Sequence, residues 1–534
     1  MDAAPSSHTI TVSTPVGESL LPVHGGATLR DILVAGGFAV RSPCGGNAAC
    51  GQCQVRVVES GKIPFTAGER QRLSGTQLSQ GLRLACQITP TMDLHVVLEQ
   101  PLAQMVWRPL RDDEYSNPAF PVGLRERDVR YGVAIDLGTT HIRLTLWDLF
   151  SGERIAGRAG LNPQGSYGAD VLTRLMEASL SVAVAAEMSA LVQRAIAEAL
   201  AGIAAQAALK LQDIGEVLLV GNTAMLSLLS GENFSQLLQP ENWTRRIDCQ
   251  PQDAAFLRKA WGVGAKASIR FITSLGGFIG SDLLAGVIAT RLIEQAPGSL
   301  LIDFGTNSEM ALWDGHTLHV TSTAGGPAFE GNGLSCGMPG ETGAIYRVEQ
   351  REASAFGIRV LGDADPRGLC GSGLVDAVAW LRRNGLLDKV GRFKERGSEG
   401  LVLYEGMQRI VLRPGDIDVL QRAKAAIGGG VRWLCQQADL PLSGLRQVYA
   451  CGAFGRLLDA ENAQQIGLLP PVPLAGVHLE GNTALAGCEA LLLSDEGAQY
   501  LDKVLAVSQV YNLAEDVGFE VLFVENLYLQ AMQD

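Results

Sequence analysis

The sequence has no uninterrupted apolar run approaching the roughly 18 residues that mark a membrane-spanning helix, so none is expected and no membrane partner is indicated. It has no excess of basic residues. Its 43 Lys and Arg stand against 56 Asp and Glu, a net charge of −13, and such a surface binds a phosphate backbone poorly, so nucleic acid is not an expected partner. The first residues, MDAAPSSHTI, carry neither the basic nor the apolar segment of a secretory leader, and the chain is expected in the cytoplasm. No G-x-G-x-x-G follows a strand-like run, so neither NAD nor a flavin is indicated. Charged residues are only 19%, against 47% apolar residues and 63 glycines; this is a globular composition that excludes a disordered or fibrous chain. At roughly 150 residues per domain, the 534 residues allow three to four units.

In a reducing compartment the ten cysteines are thiols or metal ligands rather than disulfides. Cys249, Cys336, Cys370, Cys435, Cys451 and Cys488 are scattered singly and read as small buried apolar residues. Cys44, Cys50, Cys53 and Cys86 are different: their spacing is C-x5-C-x2-C, then 32 residues, then the fourth cysteine. Zinc sites pair two C-x2-C knuckles, and only one is present. A [2Fe–2S] cluster takes four thiolates, here three from one loop and one from a distant strand. Gly45, Gly46 and Gly51 allow backbone amides to approach the cluster sulfides. Thr9–Val12, Gln54–Glu59 and Leu94–Leu98 read as strands, and Thr28 caps a helix over Leu29–Ala35 that stops at Gly36-Gly37. A sheet gripping one helix, with the cysteines on the loop after it, resembles a ferredoxin of the β-grasp type over residues 1–99.

Residues 100–130 change character: Pro101, Pro109, Pro118 and Pro121 interrupt a run dense in Arg, Asp and Glu, which reads as a linker. Thirty such residues would span roughly 30 Å on average and about 100 Å fully extended, enough to carry the ferredoxin between two stations.

From Tyr131 the chain repeats itself. Ala134-Ile-Asp-Leu-Gly-Thr-Thr140 followed by Ile142-Arg-Leu-Thr-Leu-Trp-Asp148 returns, 167 positions later, as Leu301-Ile-Asp-Phe-Gly-Thr-Asn307 followed by Glu309-Met-Ala-Leu-Trp-Asp314. Each copy is a strand, a turn at glycine, and a returning strand. The strand delivers Asp136 or Asp303 to a cleft, where a carboxylate holds Mg²⁺ directly or through water. The turns Gly138-Thr139-Thr140 and Gly305-Thr306-Asn307 supply amides and hydroxyls for phosphate oxygens. One D-x-G-T is an ordinary turn; two on matching strands favour a clamped nucleotide. Val448-Tyr-Ala-Cys-Gly-Ala-Phe-Gly455 is a strand opening into a G-x-x-G turn, where Gly452 and Gly455 allow a close backbone approach to an adenosine.

Together these residues resemble the superfamily of sugar kinases, actin and heat-shock chaperone ATPases, whose two similar RNase H-like halves each carry a phosphate loop. The resemblance implies ATP and Mg²⁺, with Asp136 and Asp303 catalytic, a first half over about 131–297 and a second over about 298–534. The expected fold is therefore an α/β and α+β multidomain chain: a ferredoxin, a linker and a duplicated ATPase.

A [2Fe–2S] ferredoxin fused ahead of such an ATPase resembles the reductive activators of corrinoid-dependent enzymes. Val220-Gly-Asn-Thr-Ala-Met225, Ala324-Gly325-Gly326-Pro-Ala-Phe-Glu-Gly331, Gly368-Leu-Cys-Gly-Ser-Gly373, Ala423-Lys-Ala-Ala-Ile427 and Glu480-Gly-Asn-Thr-Ala-Leu-Ala-Gly487 carry the likeness further, and Gly325 and Gly326 join the nucleotide-binding set on that ground. Only a linker separates ferredoxin from ATPase, and no cysteine follows Cys488; some relatives differ on both points. The resemblance implies a corrinoid methyl-carrier protein as partner and an external low-potential electron donor, with a homodimer left open. The task makes physical sense of the fusion. Restoring Co(I) from inactive Co(II) is uphill from a cluster near about −400 mV. Each 59 mV of deficit costs roughly 1.4 kcal/mol. Nucleotide binding and hydrolysis can trap the product only by favouring one of two states.

Two other readings carry less of the sequence: a small-metabolite kinase with a regulatory cluster, and a plain electron-transfer protein with a docking scaffold. Other residues read blandly. Asp170–Leu211 has the spacing of packing helices, Lys424 reads as solvated on a helix over Asp416–Asp439, and His141 as a strand residue near the cleft. Glu309 and Glu330 position water or make a structural hydrogen bond. The glycines of Ser322–Glu341 read as loop rather than cobalt contact.

Overall fold

The computed structural model describes residues 8–534 except 15–16, 24, 37, 39, 41–45, 47, 49–50, 52, 74, 99–106, 112–113, 116–118, 121–128, 169, 306, 332, 353–354, 395–398 and 407–408. The N-terminal domain is a five-stranded sheet in the order Gly17–Pro22, Thr9–Thr14, Leu94–Val97, Gln54–Val57, Leu82–Leu84, with Thr9–Thr14 parallel to Leu94–Val97. The helix Leu29–Ala35 buries Leu29, Ile32 and Leu33 against it and starts in a reciprocal cap, Thr28 with Asp31. This is the β-grasp arrangement, with its own core.

Part of the stretch expected as linker lies on the ATPase body. Arg108–Pro109 pairs with Glu153–Leu161 as an edge strand, and Leu110 and Phe120 are buried. The phenyl ring of Phe120 meets Tyr500 at 5.3 Å, from the far end of the chain.

The duplication is carried into the topology. In the first half the meander Tyr131–Leu137, His141–Asp148, Glu153–Leu161 is extended by Ile214–Gly221 parallel to its first strand and by Ser268–Phe271 beyond that. In the second half the meander Ser299–Phe304, Ser308–Trp313, Leu318–Thr323 is extended in the same way by Gln447–Cys451 and Val477–Leu479. In each half the last of these strands leads into a helix, Ser281–Ala289 or Thr483–Leu493. The two helices cross so closely that a Cβ on Gly487 would stand 1.9 Å from the carbonyl oxygen of Ala285.

Side chains alternate along each first strand. Val133 and Ile135 enter the core of the first half, and Leu300 and Ile302 that of the second. Ala134 and Leu301 enter a third core shared by both halves and both crossing helices. By that alternation Asp136 and Asp303 face the junction of the halves. The Ala-rich stretch forms the helices Val171–Leu180 and Val182–Gln206, which pack on the first-half core as expected. Val182–Gln206 is long and apolar enough by length and composition to cross a membrane, and half of its most apolar stretch is buried inside the protein.

Candidate functional site

Both D-x-G-T turns meet at the junction of the halves, where Asp136 and Asp303 act on each other through space. Register sets what faces each aspartate: Asp136 is opposite Arg143, and Asp303 is opposite Glu309. The Arg143 guanidinium stands 3.8 Å from Asp136, which also accepts a 2.7 Å hydrogen bond from the Asn482 side chain of the other half. The second half lacks the corresponding cation, and acidic groups accumulate there. Asp282 comes to them from the first half, in the opening turn of the helix Ser281–Ala289, and joins Asp303 and Glu309. Burial pushes Asp303 up to about 6, helped by Asp136. Burial, then Asp303 and Asp136, push Asp282 up to about 7. Glu309 is raised well above the ordinary range by burial and by Asp282 and Asp303. Asp136 is also raised by burial, with Arg143 opposing. Asp136 and Glu309 are buried, whereas Asp282 and Asp303 keep partial exposure at the cleft.

Such a set calls for a cation. Among the described residues no three carboxylates converge on a single ligating point.

The loops around the cleft approach it closely. Gly452, at φ +90°, brings its backbone to Asp303: a Cβ there would lie 3.1 Å from the carboxylate, in a conformation that L residues rarely adopt. Gly455 turns tightly behind it, where a Cβ would meet the Ala450 carbonyl at 2.5 Å. In the first loop the Gly138 amide donates to the His141 carbonyl, and Thr140 Oγ1 donates to Glu330 Oε1 at 3.0 Å, so Glu330 bridges the halves. In the second, the Gly305 amide donates to the Asn307 carbonyl; Thr306 lies outside the described residues. Gly325 lies beside Ser308 and the carbonyl of Ala423, and Gly326 has φ +74°. His141 begins its strand, and burial holds its imidazole at about 3, so it stays neutral.

Lys424 corrects the reading of a solvated residue. It is 1% exposed, donates to the Tyr528 carbonyl at 2.7 Å, and burial lowers its ammonium to about 7. Asp282 and Asn482 were not singled out from the sequence. Asn482 had a signal, because Gly481-Asn-Thr-Ala484 repeats Gly221-Asn-Thr-Ala224 and both asparagines cap helices. Asp282 had none beyond its place two residues after Gly280.

In the ferredoxin, Cys53 and Cys86 are buried with their sulfurs 3.3 Å apart. Two thiolates on one tetrahedral metal at about 2.3 Å stand about 3.7 Å apart, and the 3.3 Å between these sulfurs is somewhat shorter than that. The neighbouring Cys53 thiol lowers Cys86 to about 6, against burial and aided by the Gln87 amide, the Ala48 backbone and Arg30. The thiolate form is the ligand form. A fully buried Arg83–Glu69 pair, at 2.8 Å, fixes the strand that delivers Cys86. Cys44 and Cys50 lie outside the described residues.

Comparison with known proteins decides the family. The 2Fe-2S iron-sulfur cluster binding domain matches residues 14–91, the RACo middle region 131–295, and the C-terminal domain of RACo, the ASKHA domain, 298–534. The corrinoid activation enzyme RamQ of Eubacterium limosum is 32% identical over 432 residues, covering 76% of this chain and 71% of RamQ. The chain belongs to the family of reductive corrinoid activators. A [Co(II) methylated amine-specific corrinoid protein] reductase of Methanosarcina barkeri is 28% identical, covering 71% of this chain and 72% of that one. The solved structure of a reductive activator for corrinoid, iron-sulfur protein superposes with a TM-score of 0.65 at 26% identity, covering 98% of both chains. As in that family, a ferredoxin domain precedes an ATPase of the actin and sugar-kinase type.

Proposed function

We propose that this activator restores a corrinoid protein from Co(II) to Co(I), drawing the electron through its ferredoxin domain and coupling delivery to ATP hydrolysis. The observation that carries this is the convergence of Asp136 and Asp303, from the two halves, on one cleft in a chain that also buries the Cys53–Cys86 thiol pair. Cys44, Cys50, Cys53 and Cys86 hold the [2Fe–2S] cluster, which when bound supplies one electron at low potential. Asp136 and Asp303 hold Mg²⁺, which when bound offsets their mutual repulsion and the phosphate charge. The Gly138–Thr140 and Gly305–Asn307 turns receive phosphates, and Gly452 with Gly455 allow the adenosine to approach. Asp282, raised by burial to about 7, is in its ionised form a base strong enough to take the proton of the attacking water, becoming the neutral acid. Glu330 on Thr140 and Asn482 on Asp136 tie the halves, so a nucleotide that rearranges these contacts moves one half against the other. The electrons arrive from an external low-potential donor, and the partner is a corrinoid methyl carrier. A cytoplasmic setting, where cysteines serve as thiols and metal ligands, belongs to the same reading.

The test is anaerobic. Protein with a chemical reductant and MgATP should raise the Co(I) absorbance of an oxidised corrinoid protein, and omission of ATP should abolish it. A Co(I) yield that is the same without ATP would defeat the coupling.

A further inference from the structure

The first phosphate loop owes its shape to residues outside its motif. The carbonyls of Gly138, Thr139 and Thr140 are each claimed from behind. Asn162 Nδ2 donates to Gly138 O at 2.9 Å, Arg174 Nη1 to Thr139 O at 2.7 Å, and the Asn162 amide to Thr140 O at 2.8 Å. With all three carbonyls turned outward, the amides of Thr139 and Thr140 face the opposite way, and among the described residues neither has an acceptor. A loop so held presents donors where an anion must come.

Arg174 adds charge to this geometry. It sits on the helix Val171–Leu180 and is 2% exposed. Its guanidinium donates to the Gly168 carbonyl at 2.8 Å as well as to Thr139, and touches the Met225 sulfur at 3.2 Å. Among the described residues no carboxylate lies within ion-pair distance of it; Asp170 and Glu330 act on it only through space, and burial lowers it to about 10. A buried cation with only carbonyl and thioether partners is costly unless a counter-charge arrives.

We propose that Arg174 is a positioning residue of the nucleotide site: it holds the Thr139 carbonyl away from the cleft so that the Thr139 and Thr140 amides meet a phosphate, and that phosphate is the counter-charge its buried guanidinium lacks. The inference rests on the nucleotide reading above and adds to it a residue 35 positions beyond the loop, with no part in the D-x-G-T motif. Arg174 touches no substrate atom; it acts through the loop backbone and through its field.

The experiment is calorimetric titration of the full chain with MgATP, MgADP and adenosine at 20 °C, on the parent, Arg174→Gln and Arg174→Lys, with thermal melts alongside. Arg174→Gln removes the charge and should weaken MgATP and MgADP by about tenfold to a hundredfold, the worth of a hydrogen bond to a charged group. Adenosine, which meets the other half, should stay within twofold. Arg174→Lys keeps the charge but cannot span both carbonyls, and should fall in between. MgATP affinity within twofold of the parent in Arg174→Gln, with only the melting temperature lowered, would make the residue structural and overturn the proposal. Equal losses for MgATP and adenosine would overturn it as well. If Arg174→Gln does not fold, Arg174→Lys decides by the same criterion, a threefold or greater loss for MgATP with adenosine unchanged. A parent chain that binds no MgATP would fail the nucleotide reading itself, and this inference with it, before any variant is measured.

Discussion

The cleft carboxylates differ in what their loss should do. Asp136 and Asp303 act on each other across the halves, and on the proposed Mg²⁺ reading Asp136→Asn or Asp303→Asn removes one of the two carboxylates that would hold the ion, so ATP turnover should fall by at least about a hundredfold with the cluster spectrum unchanged. Asp282→Asn keeps the shape and deletes the carboxylate proposed to accept the proton; kcat should drop by about 10²- to 10⁴-fold with little change in KM. Steady-state ATPase assays separate the two outcomes, and an Asp282→Asn enzyme as fast as the parent would remove that residue from the chemistry. Lys424 gives a pH prediction. Its ammonium is lowered from 10.5 to about 7 by burial alone. The unfolded chain therefore binds more protons than the folded one between those values. The cost of burying the charge is complete below about pH 7 and is released as pH climbs toward 10.5. Lys424→Met should raise the melting temperature relative to the parent at pH 6, and that gain should shrink by pH 9. A gain that grows with pH would contradict the sign.

Elements were legible in the sequence where a local rule fixes them. Thr28 caps Leu29–Ala35 because Asp31 completes a reciprocal cap within four residues. The D-x-G-T strands were readable because both the apolar run and its turn are local. Asp282 was not, and the repeated Gly-Asn-Thr-Ala marked Asn482 only as a cap, because the importance of both comes from where the crossing helices begin, and sequence spacing does not show that two helices from different halves converge. Lys424 looked solvated because a lysine on a helix usually is; the last residues of the chain cover it, and nothing local announces that. Arg108–Pro109 joined a sheet edge, the position where a strand proline is tolerated. The crossing helices also make a prediction. Gly487→Ala would place a methyl 1.9 Å from the Ala285 carbonyl, so the helices must part. That overpacking should cost about 1–3 kcal/mol. Because the two helices carry Asp282 and cap at Asn482, ATPase activity should fall along with the melting temperature, while the ferredoxin, with a separate core, keeps its spectrum. A variant that melts lower yet hydrolyses ATP at the parent rate would show that the crossing supports the fold without setting the cleft.

At the scale of the whole molecule the question is how far the ferredoxin can travel. Arg108–Pro109, Leu110 and Phe120 belong to the ATPase body, which leaves residues 99–106 between the last ferredoxin strand and Trp107. Such a stretch spans at most about 30 Å, against about 100 Å for thirty free residues. On the proposed coupling, a connection of eight residues would hold the cluster at a millimolar-scale effective concentration beside a partner docked on the ATPase. The position of a cut should therefore matter. Cleavage engineered just before Trp107 should yield a coloured ferredoxin piece and an ATP-binding piece that begins at Trp107 and keeps the parent melting temperature. A piece beginning at Pro121 loses the edge strand, Leu110, and the Phe120 ring that meets Tyr500 and lies under the Arg291 guanidinium. Two deleted core side chains should cost it about 5 kcal/mol or more. Neither piece of the first cut should convert a partner's Co(II) to Co(I) at micromolar concentration, because proximity is lost while the chemistry on each piece is intact. Mixing the pieces near millimolar concentration should restore part of the rate, read as Co(I) absorbance with a reductant and MgATP. Full activity from the ferredoxin piece alone, without ATP, would mean that the ATPase halves do not gate the electron.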